Sequence, residues 1–110
     1  MIELVQARAA FIAAMREEVS EFDVLAMPTV PTIAPAIAPL AEDDEAYART
    51  NLFVLRNPSM INMMDGCAIS LPMHRAGEVP TGLTLAKAGG EDQELLSIAA
   101  AVEAVLAGKS

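Results

Sequence analysis

Residues 62–85 read NMMDGCAISLPMHRAGEVPTGLTL, in which two short apolar runs flank a polar loop. The runs are CAISLP (67–72) and TGLTLAK (81–87), and their β-branched content and the Gly and Pro residues around them are typical of strands. We therefore predict two strands joined by a loop that is longer than a tight turn. The loop holds the only histidine of the chain, His74, and the only cysteine, Cys67, opens the first run. The same residues therefore raise the question of an active site.

The segments before these strands predict a helix, a third strand and a proline-rich loop. Apolar residues three or four positions apart predict a helix over residues 2–21. The apolar run VLAM (24–27) shows no alternation, which is typical of a strand covered on both faces. Pro28 ends this run, and prolines recur up to residue 39. Because proline fixes φ and removes a backbone donor, we expect an extended, irregular loop there.

Three more helices complete the predicted order of elements. The acidic residues 42–45 favour a helix start, since they suit the positive end of the helix dipole. Asn57-Pro58 resembles a helix cap with proline at the first helical position. We expect this short helix to end at Asp65-Gly66, with Gly66 in the left-handed conformation. The spacing over residues 91–108 predicts a last helix, and three strands with helices indicate an α/β fold.

Composition limits the chain to one domain, or a fragment of one, over residues 1–110. Its formal net charge of −8 disfavours nucleic acids and anionic membrane surfaces as partners. A single cysteine needs no oxidising compartment, no signal peptide is recognisable, and no apolar stretch approaches the ~20 residues that span a bilayer. We therefore expect a cytoplasmic protein. The apolar fraction of 54% is high for this size, so a partner or more of the same fold should cover some apolar surface.

The reactive residue types do not form a recognisable active site. Seven residues of extended chain separate Cys67 from His74 by roughly 20 Å, which is too far for an activated Cys–His pair. We interpret Cys67 as a small buried hydrophobe and His74 as a loop residue. One His and one Cys do not make a metal site, and the acidic run 42–45 lacks the spacing of a calcium loop. The sequence predicts no metal and no cofactor.

A serine triad within this chain is equally poorly supported. Ser59, Ser70 and Ser97 are candidate nucleophiles, but none lies in a GxSxG elbow. Ser70 falls inside a predicted strand, where it should pack or form local hydrogen bonds. Gly89-Gly90 is followed by acidic residues and not by GKS or GKT, so no phosphate loop is predicted. The methionines are best interpreted as core filler, although an adaptable binding surface is the alternative.

A family resemblance covers about residues 16–107. The order FDVLAMPTVPTIAP, then a helical spacer, then RNPSMINMMDGCAISLP, VPTGLTL and EDQELL resembles the C-terminal region of the amidase-signature enzymes. The matching residues are Asp23, Pro28, Thr29, Pro31, Asn62, Ser70, Leu71, Pro72, Pro80, Gly82, Leu83, Glu94, Leu95 and Leu96. One departure is Cys67, which stands where that family usually has proline.

The resemblance implies an enzyme whose catalytic groups lie outside this chain. Members of the family hydrolyse carboxamide C–N bonds with a Ser–cis-Ser–Lys triad that lies well upstream of the matched region. The only lysines here, Lys87 and Lys109, do not match the family's catalytic base. The implied fold is part of an αβα sandwich, with a short mixed sheet of about three strands packed by helices. By position, Thr29, Pro31 and Asn62 would border a substrate pocket, although a surface loop and a helix-ending hydrogen bond explain them equally well.

Two hypotheses remain open at this point. In the first, the chain is the C-terminal segment of an amidase that hydrolyses a small-molecule amide, and it needs the N-terminal part of that enzyme as its partner. In the second, the chain is a non-catalytic α/β module that self-associates through uncovered apolar surface and open sheet edges.

Overall fold

The fold described by a computed structural model of residues 2–108 is α/β, as predicted. The elements of this part of the chain are α1 (Ile2–Val19), β1 (Leu25–Pro28), α2 (Ile37–Glu42), α3 (Asp44–Val54), α4 (Arg56–Met63), β2 (Cys67–Pro72), β3 (Gly82–Lys87) and α5 (Asp92–Ala107). All three predicted strands are present. None of the described helices is both long and apolar enough to cross a membrane.

The three strands form one sheet in the order β1-β3-β2, with β3 in the centre. Both pairs are antiparallel, so no parallel pairing occurs within residues 2–108, in contrast to the mixed sheet that the resemblance implied. Ala86 lies opposite Leu25 on one side and Ala68 on the other, and Thr84 lies opposite Met27 and Ser70. This register decides which side chains share a face of the sheet.

Helices cover both faces of the sheet. On the first, the α5 face, Leu71 and Leu85 pack against Leu95 and Ala99 of α5. On the second, the α1/α4 face, Ala86 packs with Ile61 and Met64, and Phe11, Met15 and Val19 of α1 lie against this group. The second face retains open space beside its polar residues.

The chain leaves much of its apolar surface uncovered. Its accessible surface is 7809 Å², whereas a compact protein of this mass exposes about 5,800 Å². Its radius of gyration is 16.6 Å, against about 13 Å for a compact domain of this length. Ile37 is 82% exposed and Leu52 is 72% exposed. The fold is therefore flat, with extents of 43 × 41 × 16 Å, and incompletely buried.

Three local predictions were wrong. The proline-rich segment is not irregular throughout, because α2 begins at Ile37 and includes Pro39. Helix α4 begins at Arg56, so Pro58 is its third residue and not its first. The Asn57 side chain does not cap this helix, and instead its Nδ2 donates to the carbonyl of Pro28 at 2.7 Å. A long-range contact has replaced the predicted local cap.

The turn after α4 and the environment of β1 also differ from the predictions. Asp65 adopts the positive φ of 54° that we expected at Gly66. Gly66 is needed for another reason, since a Cβ atom there would lie 2.7 Å from the carbonyl oxygen of Lys87. In β1, Ala26 and Pro28 are exposed, so the strand is not covered on both faces in this structure.

Candidate functional site

A cavity of about 350 Å³ opens on the α1/α4 face of the sheet. This volume lies in the range of small-molecule pockets. Its polar lining comes from the loop after β1, from helix α4 and from strands β2 and β3. The polar residues are Thr29, Asn57, Asn62, Ser70 and Thr84.

Three hydroxyl groups form a hydrogen-bonded chain in this cavity. Thr29 Oγ1 lies 2.5 Å from Ser70 Oγ and 2.7 Å from Thr84 Oγ1. We call Thr29, Ser70 and Thr84 the hydroxyl chain. The sheet brings them together, because Ser70 lies directly opposite Thr84 and the Thr29 N–H donates to the carbonyl of Gly82 at 2.9 Å. Thr29 therefore bridges two hydroxyls that the strands hold side by side.

Backbone approach at Gly82 makes this arrangement possible. A Cβ atom on Gly82 would lie 2.8 Å from both Ser70 Oγ and Thr29 Oγ1. Such separations are too short for a real side chain, so any larger residue at this position would push the hydroxyls apart. The hydrogen bond from Asn57 to the carbonyl of Pro28 also holds the loop that carries Thr29.

The structure places the predicted pocket residues in two different cavities. Thr29 and Asn62 both line the cavity that holds the hydroxyl chain, which we call the hydroxyl cavity. Pro31 lines a separate cavity of about 210 Å³ beside Ile33 and Met73. Our pocket prediction did not include Ser70 or Thr84. Contrary to our prediction, the hydrogen bond of Ser70 is not local, because its partner Thr29 lies 41 residues away. Only the strand register reveals that Ser70 shares a site with Thr84.

Cys67 and His74 lie at opposite ends of α5. Cys67 is near the N-terminus of the helix, where the charge of Asp92 raises the pKa of its thiol. His74 lines a cavity with Ala104 and Ala107 at the other end. A helix of this length spans about 24 Å, which agrees with the separation expected from the sequence. His74 Nδ1 accepts a hydrogen bond from the N–H of Thr81 at 3.1 Å. The ring therefore holds the loop between β2 and β3.

The Cys67 thiol is poorly suited to nucleophilic attack. Burial raises its pKa above the ordinary value of 9.0, and the negative charge of Asp92 raises it further. The thiol also lies 3.5 Å from the carbonyl of Ala88, to which it donates. Since the thiolate is the reactive form, Cys67 remains protonated at neutral pH and behaves as a small apolar side chain.

The remaining candidates also lie away from the hydroxyl chain. Lys87 belongs to the α5 face, where its Nζ donates to the carbonyl of Asp23 at 2.7 Å and lies 3.6 Å from Glu94 Oε1. Ser97 is an exposed residue of α5, and Ser59 lines a different cavity beside α1. Lys109 lies outside the described residues.

The acidic run 42–45 begins a helix, as predicted, from Asp43 onward, whereas Glu42 is the last residue of α2. Asp43 precedes α3, and its carboxylate accepts a hydrogen bond from the backbone N–H of Glu45 at 3.0 Å. Asp44 and Glu45 lie in the first turn of α3, where negative charge is favourable. The run thus has a structural role at a helix N-terminus.

The fold is that of an α/β segment with a neutral, hydroxyl-lined cavity. Comparison with known proteins identifies one enzyme that is similar to it in sequence. No protein-family model matches the chain, and no solved structure matches it. The chain is 33% identical over 87 residues to 2-amino-5-chloromuconic acid deaminase from Comamonas testosteroni. This alignment covers 78% of the chain but 19% of the deaminase. The chain therefore spans about one fifth of the length of the curated relative it matches, as a distant homologue of part of an enzyme.

Proposed function

We propose that this chain is the C-terminal segment of an amidase-signature amidohydrolase, in which it forms one wall of the substrate pocket. The match to one fifth of the Comamonas deaminase carries this proposal. Deamination and amide hydrolysis both break a bond between carbon and nitrogen, and the motif order resembles the amidase-signature pattern over about residues 16–107. The complete enzyme would hydrolyse a small-molecule carboxamide in the cytoplasm.

The isolated chain should be inactive, because Ser70 has no base beside it and the Cys67 thiol is held protonated by burial and by Asp92. A serine nucleophile needs a group that accepts its proton within hydrogen-bond reach. Ser70 contacts Thr29, another neutral hydroxyl. The amine of Lys87 points to Asp23 and Glu94 on the α5 face, whereas Ser70 belongs to the opposite face. The nucleophile and base would therefore come from the rest of the enzyme.

A chimeric enzyme tests this function. The matched region of the Comamonas deaminase is replaced by the corresponding residues of this chain, and ammonia release from benzamide and other simple carboxamides is measured. We expect release by the chimera and none by the isolated chain. The same chimera with Leu85→Ala, which removes a core side chain, serves as the control and should lose activity together with stability. A folded chimera that cleaves none of the carboxamides would contradict the proposal, as would turnover by the isolated chain.

A second candidate function is self-association as a non-catalytic module. Two observations favour it. The accessible surface of the chain is larger than that of a compact protein of this mass. In addition, β1 and β2 each pair only with β3 among the described residues, so each has an open edge. Open strand edges and uncovered apolar side chains promote pairing with another copy. In this role the partner of the chain would be a second copy of itself.

Analytical ultracentrifugation tests self-association. We expect the isolated chain to sediment as a dimer or larger species whose share grows with concentration. The double substitution Ile37→Glu and Leu52→Glu places charge on exposed apolar positions and should shift the chain toward monomer. Gln93→Glu adds a charge at an exposed polar position and serves as the control. A compact monomer at all concentrations would rule out this candidate.

A further inference from the structure

The hydroxyl cavity is electrically neutral. Its polar groups are two asparagine side chains and the hydroxyl chain, and none of its lining residues carries a charge. The apolar part of the lining includes Met27, Ile61 and Ala68. The chain as a whole carries a formal charge of −8, and outside this lining the Arg8 guanidinium donates to the backbone carbonyl of Asn62 at 3.2 Å.

The hydroxyl chain has one proton to offer a ligand. Three hydroxyls carry three protons, and the two bonds that Thr29 makes to Ser70 and Thr84 use two of them. One O–H remains free to donate, while oxygen lone pairs along the chain remain free to accept. Asn62 adds a carboxamide, which also donates and accepts. The cavity therefore presents donors and acceptors together.

A carboxylate fits this cavity poorly. An ionised carboxylate only accepts hydrogen bonds and has about four lone-pair sites to satisfy. The free hydroxyl and the two N–H groups of the Asn62 carboxamide supply fewer donors than that, and neither Arg nor Lys lines the cavity to compensate for the lost hydration. An uncharged carboxamide or hydroxyl pays a smaller desolvation cost and can use the donors and acceptors at once.

We infer that Thr29, Ser70 and Thr84 form a subsite for an uncharged hydrogen-bonding group of the substrate, a carboxamide or a hydroxyl, and that this wall selects against a carboxylate. The inference rests on the proposed function for its placement in a substrate pocket. It also implies that this chain differs in substrate preference from the deaminase relative, whose named substrate is an acid. The hydroxyl chain sets specificity here and takes no part in bond cleavage.

The test compares benzamide with benzoate, which share a ring and differ in charge. Each is titrated into the isotope-labelled chain, and the backbone amide resonances of Ser70 and Thr84 are followed by NMR. Saturable shifts are expected with benzamide, with a dissociation constant at least about tenfold lower than that of benzoate. Ser70→Ala and Thr84→Val should each raise the benzamide constant about three- to tenfold, as expected for the loss of one hydrogen bond.

Two matched variants control for the loss of a hydroxyl elsewhere. Ser97→Ala removes a hydroxyl from α5, and Thr50→Val removes one from α3; neither residue lines the cavity. Both should leave benzamide binding unchanged. Ser70 is exposed, so Ser70→Ala decides the outcome if Thr84→Val fails to fold. Equal binding of benzoate, absence of benzamide binding, or insensitivity to Ser70→Ala would each overturn the inference. The readout requires no turnover, so an inactive chimera would count against the proposed function alone.

Discussion

Replacing Leu85 by alanine should lower the free energy of unfolding by about 3 kcal/mol, as expected for truncation of a buried leucine. Leu85 is 2% exposed and lies on the central strand, opposite Ala26 on one side and Ile69 on the other. Its side chain belongs to the cluster with Leu71 and Leu95 that joins the sheet to α5. The surrounding residues are held by strand pairing, so the resulting cavity should collapse only partly.

This loss would be a large share of the total stability. Small domains are stable by roughly 5–15 kcal/mol, and this chain buries few large side chains. Urea unfolding followed by circular dichroism measures the change. Leu96→Ala is the matched control, because Leu96 is the next residue of α5 after Leu95 and is 57% exposed; it should cost less than about 0.5 kcal/mol. Equal losses for the two variants would mean that α5 does not pack on the sheet as described.

The main elements could be predicted from the sequence because their signals are local. Helical spacing defined α1 and α5, and short apolar runs between Gly and Pro residues defined the strands. Acidic residues placed the start of α3 to within two residues, since a helix N-terminus favours negative charge wherever the helix packs. These signals depend on neighbours within a few residues, so they hold before any tertiary contact is known.

The hydroxyl chain could not be predicted, because it depends on strand register. Ser70 and Thr84 are 14 positions apart, and the loop between β2 and β3 is too long for its length to fix which residues face each other. Thr29 reaches them only because β1 pairs with β3. The family resemblance suggested Thr29 and Asn62, which do share a cavity. It also suggested Pro31, which lies in another one.

The failed local predictions have a common physical origin in tertiary contact. Asn57 is a good helix-capping residue, but its side chain bonds to the carbonyl of Pro28, which is 29 residues away. Gly66 is a good residue for a left-handed turn, but Asp65 takes that conformation and Gly66 lies against the backbone of Lys87. In each case the sequence indicated a residue with a specific structural role, but a contact with a distant part of the chain determined what that role is.

Gly89→Ala should destabilise the fold by about 2–3 kcal/mol, in the upper part of the range for overpacking. A Cβ atom at Gly89 would clash with the carbonyl oxygen of Asp65, and one at Gly66 would clash with that of Lys87. The segments before β2 and after β3 therefore pack backbone to backbone, and neither obstacle is a side chain that can rotate away. Relief would require the end of β3 to separate from the turn at Asp65.

Thermal and urea unfolding of Gly89→Ala, with Gly108→Ala as the matched control, measures this effect. A Cβ atom at Gly108 would lie 3.5 Å from the nearest atoms, the carbonyl oxygens of Ala104 and Val105, which is an ordinary contact. Its φ of −67° suits any residue, so the control should change stability by less than about 1 kcal/mol, with a small gain expected. If Gly89→Ala left the stability unchanged, the two segments would be further apart than described.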